Sequence, residues 1–156
     1  IADDSADMAT AGTPILTPQS LADPGIVKIV IADFEPQQSV SDGQRVGQNL
    51  HGRVGQGRAV YFSRAAVPFD RDGDPSDRLT AGPPVYWHHL GLYAYRRDFL
   101  QWFSDSPPSR LETIEKLEQL RAIEAGKRIV VATVGPSKSG IDTPEDLSNF
   151  RERLES

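Results

Sequence analysis

The most informative absence in this chain of 156 residues is cysteine, of which there is none. This excludes a disulfide framework, a thiolate nucleophile and a cysteine-based zinc ribbon. Positive charge is also scarce, because 17 Lys and Arg stand against 22 Asp and Glu, giving a formal net charge of −5. We therefore expect no nucleic-acid partner. No apolar run approaches the roughly 20 residues that a membrane-spanning helix needs, so no membrane partner is expected either.

The chain does contain a series of short apolar segments separated by polar ones. Its length, with 38% hydrophobic and 25% charged residues, predicts a single α/β domain over residues 1–156. The segment Gly25–Phe34, "GIVKIVIADF", has the near-continuous Ile and Val content of a strand covered on both faces. Further strands are predicted at Met8–Ile15, Ala59–Phe69, Val85–Tyr95 and Lys127–Val134.

The segment from Glu35 to Arg58 is rich in Gln, Gly and Ser and has hardly any apolar residues. It can bury little surface, so we predict an exposed polar insertion over residues 35–58, either a loop or a long two-stranded excursion. A second polar loop carries Asp70, Asp72 and Asp74 at the spacing that opens an EF-hand. The later Gly and Glu of that pattern are replaced by Pro75 and Ala81, which favours an ordinary acidic loop.

The strand "VYWHHLGLYAY" carries more polar side chains than a core strand usually has. With a period of two, Trp87, His89, Gly91, Tyr93 and Tyr95 share one face, and His88 lies on the other. Side chains such as His89 and Tyr93 suit either a hydrogen-bonded core or the wall of a polar ligand site. The strand alone does not distinguish these two interpretations.

The segment "SRLETIEKLEQLRAIEAG" predicts one helix that begins with a capping box of Ser109 and Glu112 and stops at Gly126. Continuous helical spacing puts Glu118 and Arg121 in the apolar sector. Such a pair either satisfies itself structurally or borders a polar cavity that holds a ligand. A final helix is predicted after "DTPEDL", with Asp142 in the loop before it.

Six ordered stretches together resemble the 3-deoxy-manno-octulosonate cytidylyltransferases, or CMP-Kdo synthetases. They are "MATAGTPI", "DPGIVKIV", "AVYFSRAAVPFDRD", "HHLGLYAYRRDFLQWF", "PPSRLETIEKLEQLR" and "SGIDTPEDL". The resemblance implies a nucleotide-diphospho-sugar transferase-like (Rossmann-like) mixed sheet with flanking helices. It also implies a cytoplasmic homodimer that uses Mg²⁺ to transfer CMP from CTP to the acid sugar Kdo, releasing pyrophosphate, for lipopolysaccharide biosynthesis.

The resemblance also implies roles for individual residues. Arg64 would bind the sugar carboxylate, since a guanidinium matches a carboxylate in geometry. His89 and Tyr93 would meet sugar hydroxyls, and Glu118 with Gln119 would complete the sugar-acid site from the helix. Asp142 matches the position of a carboxylate that helps to hold magnesium.

The family has an N-terminal half with a basic phosphate loop and a "GD" segment that supplies another metal-binding carboxylate. We find no Gly-rich loop with basic residues after a strand and no second Asp in that motif in this sequence. We therefore expect this chain to be the C-terminal part of such an enzyme, with the N-terminal nucleotide-binding half missing, and to be inactive alone. Two alternatives stay open. One is a non-catalytic sugar-binding or dimerisation subunit, and the other is a cytidylyltransferase for another acid sugar such as sialic acid.

Overall fold

The computed structural model of the protein describes residues 6–36, 55–80, 82–136, 148 and 151. Within these ranges the chain forms five strands and five short helices. The strands are β1 (Met8–Pro14), β2 (Lys28–Pro36), β3 (Gly55–Ser63), β4 (Trp87–Tyr95) and β5 (Ile129–Thr133). The helices are α1 (Pro18–Ala22), α2 (Asp77–Thr80), α3 (Arg97–Asp105), α4 (Arg110–Glu115) and α5 (Gln119–Glu124).

The five strands form one mixed sheet that closes on itself in the order β1-β4-β2-β3-β5. Strands β1 and β5 run parallel, whereas β1 with β4, β2 with β3, β2 with β4, and β3 with β5 are antiparallel. The predicted mixed sheet with helices is confirmed. Its closure into a barrel was not predicted, because sequence patterns give strands but not the partners that each strand takes.

The interior is divided between two apolar clusters. The larger joins the strands to the helices α3 to α5 and includes Met8, Ile29, Phe62, Phe99 and Leu120. The smaller lies under α1 and α2 and consists of Ile15, Leu21, Leu79 and Tyr86. The division falls at the start of β4, because Tyr86, just before the strand, packs into the smaller cluster and Trp87, its first residue, packs into the larger one.

The predicted single helix over residues 109–126 is wrong in one respect, because it is broken in the middle. The capping box forms as predicted: Ser109 Oγ accepts from Glu112 N, and Glu112 Oε2 accepts from Ser109 N. Lys116 then adopts a left-handed conformation with φ of 57°, which ends α4. The chain restarts as α5 and stops at Gly126, whose φ is 70°. The break resets the helical phase between α4 and α5, so Glu118 and Arg121 do not continue the apolar sector of α4 as predicted, and Glu118 is exposed.

The two ends of the predicted polar insertion lie in strands. Glu35 pairs with Gln56 and Pro36 pairs with Gly55, so the ends form a continuing β2–β3 ladder. Residues 37–54 lie outside the described residues. Within the described part of the chain, no helix is both long and apolar enough to cross a membrane.

Candidate functional site

The candidate site begins at an irregularity in the pairing of β1 with β4. Thr10 lies opposite Tyr93 and Gly12 lies opposite His89, so one residue of β1 faces three residues of β4. The extra length is absorbed at Gly91, whose φ of 66° belongs to the left-handed region that favours glycine. At this bulge the carbonyl of Leu92 accepts a hydrogen bond from Thr10 Oγ1 at 2.7 Å.

Thr10 also contacts His89, and this second bond fixes the tautomer of the imidazole. Thr10 Oγ1 lies 2.8 Å from His89 Nε2. A hydroxyl has one hydrogen, and Thr10 donates it to the Leu92 carbonyl, which can only accept. Thr10 therefore accepts from His89, so Nε2 carries the proton. Burial, with a smaller effect of His88, lowers the pKa of His89 to about 4, so the ring is neutral at pH 7 and Nδ1 is a hydrogen-bond acceptor.

A continuous row of aromatic rings extends from His89 along β4 to α3. His89 packs against the edge of Phe62 and against Tyr93, with ring centroids 5.2 Å apart in each pair. Tyr93 stacks on Tyr95, and Tyr95 stacks on Phe99. The predicted shared face of His89, Tyr93 and Tyr95 is therefore confirmed. Burial raises the pKa of the Tyr93 phenol, and the neighbouring Tyr95 and Glu118 raise it further.

Glu118 and Gln119 lie where α5 begins, but their surroundings differ. Glu118 is exposed, and its charge acts on both Tyr93 and Tyr95. Gln119 is only 3% exposed, and its Nε2 is buried without a hydrogen-bond partner among the described residues. A buried donor with no acceptor lowers the stability of the folded protein by on the order of 1–3 kcal/mol, and such donors are rare in native proteins. The amide of Gln119 therefore offers a free donor for a ligand oxygen.

Arg64 follows β3, and its guanidinium is held by main-chain carbonyls. Its Nε donates to the Glu115 carbonyl and its Nη1 donates to the Pro24 carbonyl, each at 3.0 Å. Among the described residues, no hydrogen bond involves its Nη2. The side chain is thus anchored on one side and retains one amino group for a ligand.

Glu115 and Lys28 fix the backbone around Arg64. The Glu115 carboxylate accepts from Ser63 Oγ at 2.7 Å and from Arg64 N at 3.0 Å, and burial together with the neighbouring Glu115 raises the pKa of the Tyr61 phenol. Lys28 is fully buried, and its ammonium donates to the carbonyls of Asp23 and Arg64. Burial lowers the pKa of Lys28. The end of β3 is therefore tied to β2 and to the end of α4.

Five of the six predicted ligand residues are connected, partly by contacts and partly by the chain between Glu115 and Gln119. Arg64 contacts Glu115, the last residue of α4, and the chain reaches Glu118 and Gln119 after the left-handed turn. The charge of Glu118 acts on Tyr93, and Tyr93 contacts His89. Sequence reasoning missed Thr10, Glu115 and Lys28. The two strand segments and the helix that contain them were quoted for the resemblance, but their side-chain partners depend on the three-dimensional fold.

The predicted Asp142 lies outside the described residues. Within the described ranges, no group of three or more His, Cys, Asp or Glu is placed to hold a metal ion. In the acidic loop, Asp70 pairs with Arg78 at 2.9 Å. A cavity of about 220 Å³ beside that pair contains none of the predicted ligand residues; it is lined by Pro68, Phe69, Asp70, Arg78, Val85 and Tyr86.

Comparison with known proteins gives a consistent result. Residues 27–129 match the family model described as Cytidylyltransferase. A relative from Rhodopirellula baltica, named 3-deoxy-manno-octulosonate cytidylyltransferase, is 51% identical over 97% of this chain and 52% of its own length. A relative of the same name from Xanthomonas oryzae pv. oryzae is 41% identical over 97% of this chain and 51% of its own length.

A solved structure shares the fold as well as the sequence. It is the structure of CMP:2-keto-3-deoxy-manno-octonic acid synthetase complexed with CTP, with a TM-score of 0.70 and 31% sequence identity. The match covers 98% of this chain and 51% of that chain. The chain thus spans about half the length of the relatives and of the solved structure that it matches.

Proposed function

Because this chain belongs to the cytidylyltransferase family, we propose that it forms the sugar-acid-binding part of an enzyme that transfers CMP from CTP to Kdo and releases pyrophosphate. Kdo is proposed as the sugar because the chain is 51% identical, over 97% of its length, to a relative named 3-deoxy-manno-octulosonate cytidylyltransferase. The family match supports the reaction class, which is nucleotidyl transfer.

The free hydrogen-bonding groups of the candidate site support a polyhydroxylated acid as the ligand. Gln119 Nε2 is a donor without an acceptor, and His89 Nδ1 is an acceptor with no hydrogen bond among the described residues. A sugar hydroxyl donates and accepts, so hydroxyls can satisfy both groups. The remaining amino group of Arg64 would bind the Kdo carboxylate. Tyr93 and the exposed carboxylate of Glu118 would bind further hydroxyls.

Magnesium and CTP belong to the same proposal. A divalent cation supplies charge neutralisation at the phosphate oxygens during nucleotidyl transfer. We propose Asp142 as one of its carboxylate ligands, on the family resemblance alone. The described residues hold no metal cluster, so we derive no step through the ion. A cytoplasmic homodimer acting in lipopolysaccharide biosynthesis likewise follows from the resemblance.

The first test is calorimetric titration of the chain with Kdo, beside sialic acid and mannose. We expect Kdo to bind, sialic acid to bind more weakly and mannose, which has no carboxylate, not to bind. Gln119→Met keeps the size of the side chain but removes the buried donor, so it should weaken Kdo binding about tenfold. Gln101→Met changes an exposed glutamine of α3 and is the matched control.

The second test adds CTP and MgCl₂ and measures pyrophosphate release. Release that depends on Kdo supports the complete reaction in this chain. Binding of Kdo without release is expected both for one part of a larger enzyme and for a non-catalytic sugar-binding subunit, and it excludes the complete reaction in this chain alone. Failure of Kdo to bind, with equal behaviour of the two glutamine variants, would refute the proposed site.

A further inference from the structure

We propose that Thr10 is a positioning residue that fixes His89 as the acceptor of a ligand hydroxyl hydrogen. This inference rests on the proposed sugar-acid site. It adds Thr10 to that site and states that His89 accepts, and does not donate, the hydrogen bond to the ligand. Thr10 itself does not have to touch the ligand. It acts through the imidazole, and its own orientation is determined by the bulge in β4.

The bulge determines where the Thr10 hydrogen goes. Gly91 gives the chain a left-handed residue opposite Ala11, and beyond it the Leu92 carbonyl accepts from Thr10 Oγ1 at 2.7 Å. A carbonyl cannot donate, so this bond occupies the single hydrogen of the hydroxyl. The backbone carbonyl of Leu92 therefore decides which atom donates and which accepts, both in its own bond with Thr10 and in the bond between Thr10 and His89.

The second bond passes this polarity to His89. Thr10 Oγ1, at 2.8 Å from Nε2, has only lone pairs left to offer, so the imidazole must donate from Nε2. A neutral imidazole with its proton on Nε2 presents a lone pair on Nδ1. His89 is 8% exposed and is packed between Phe62 and Tyr93, so the ring has little freedom to reverse these roles.

The tautomer of His89 determines which ligand groups can bind its Nδ1. A group facing Nδ1 has to donate a hydrogen, so a sugar hydroxyl is accepted and an ether or keto oxygen is rejected. The buried amide of Gln119 has the opposite polarity, because its free group is a donor. A ligand with several hydroxyls satisfies both positions, whereas an apolar or purely accepting ligand satisfies at most one.

The experiment combines a spectroscopic readout with binding. The side-chain nitrogens of histidine are followed by ¹⁵N NMR in the free chain, and the His89 signals are assigned by their loss in His89→Gln. Thr10→Val keeps the shape of threonine and removes the hydroxyl, while Thr10→Ser keeps the hydroxyl. Thr13→Val removes a buried hydroxyl that donates to the Gly135 carbonyl from the same strand, and serves as the control.

We expect the Nε2-protonated tautomer in the unmodified chain, a mixed population in Thr10→Val, and the original tautomer in Thr10→Ser and Thr13→Val. Kdo affinity should fall about tenfold in Thr10→Val and stay close to normal in the other two. An Nδ1-protonated His89 in the unmodified chain would overturn the inference without any variant. An unchanged tautomer and affinity in Thr10→Val would overturn it as well.

The design separates this inference from the proposed function. The expected tautomer in a chain that does not bind Kdo would support the Thr10–His89 arrangement and overturn the sugar site. Kdo binding with the opposite tautomer would support the sugar site and overturn the role of Thr10. If Thr10→Val does not fold, the tautomer of the unmodified chain and the comparison of Thr10→Ser with it still decide the question.

Discussion

Arg121 and Glu112 form a two-pronged ion pair across the break between α4 and α5, with Nε and Nη2 donating to the carboxylate at 2.8 and 2.6 Å. Arg121 Nη1 also donates to the carbonyls of Phe103 and Ser106, and the guanidinium lies 4.1 Å from the centre of the Phe103 ring. Arg121 therefore joins α3, α4 and α5. Of the two sequence interpretations of this arginine, the structural one is correct, but its partner is Glu112 and not Glu118.

The first prediction concerns this pair. Arg121→Met should reduce the free energy of unfolding by about 3 kcal/mol, because it leaves a half-buried carboxylate and two carbonyls without their donor. Urea unfolding measures the change. Arg58→Met, in the exposed pair with Asp33, is the control and should leave the midpoint close to that of the unmodified chain. Equal midpoints for both variants would contradict the role given to Arg121.

The second prediction is a pH dependence of stability. The pKa of His89 is lowered from 6.5 to about 4, so between these values the unfolded chain binds a proton that the folded chain does not. The stabilising contribution is complete above pH 6.5 and is lost as the pH falls toward 4. It amounts to about 3 kcal/mol at most.

The measurement is urea unfolding at a series of pH values for the unmodified chain and for His89→Gln. The difference between the two free energies should shrink with falling pH over this window, since the variant lacks the titrating group. A difference that stays constant from pH 7.5 to pH 4 would show that His89 does not titrate in this way.

The third prediction compares two glycines. At Gly57 an added Cβ would lie 2.5 Å from Ile31 Cγ2 and 2.8 Å from the Ala32 carbonyl oxygen, so Gly57→Ala must displace the backbone of β2. At Gly91 nothing lies within 4 Å of the added atom, and the cost is the left-handed conformation, about 1–2 kcal/mol. Thermal unfolding should show the larger loss for Gly57→Ala. The reverse order would mean that the β2–β3 ladder adapts more easily than these distances suggest.

The fourth prediction concerns the anchoring of Arg64. Glu115→Gln replaces one accepting oxygen by a donor where Ser63 Oγ and Arg64 N both donate. The mismatch should shift Arg64 and reduce Kdo affinity about tenfold. Glu124→Gln, at an exposed glutamate that accepts from Leu111 N, is the matched control. If both variants bind Kdo like the unmodified chain, Arg64 does not depend on Glu115 for its position.

Local patterns in the sequence predicted local structure well. The five strands, the capping box at Ser109 and the stop at Gly126 are all present. The period of two in β4 also placed His89, Tyr93 and Tyr95 together. These features depend on residues close in sequence, and the physical signals for them lie within a few positions of one another.

The break at Lys116 and the partners of Thr10 could not be predicted in the same way. Lys116 has no side-chain reason to be left-handed; the packing of Leu117, Gln119 and Leu120 inward accompanies that conformation. The bond from Thr10 to His89 joins residues 79 positions apart. Arg64 seemed from its residue type to be free for a ligand, whereas two of its nitrogens are held by carbonyls from the end of α4 and from the segment before β2.

The ring of strands has one weak seam. β2 and β4 pair at Lys28 with His88 and at Ile29 with Trp87, whereas β2 and β3 pair along most of their length. Local opening should therefore begin at this seam, and its amide hydrogens should exchange earlier than those of the β2–β3 ladder. Lys28 on one side binds the Arg64 carbonyl, and His89 lies on the other. A ligand bound by both Arg64 and His89 would connect the two sides of this short β2–β4 pairing and slow its local opening.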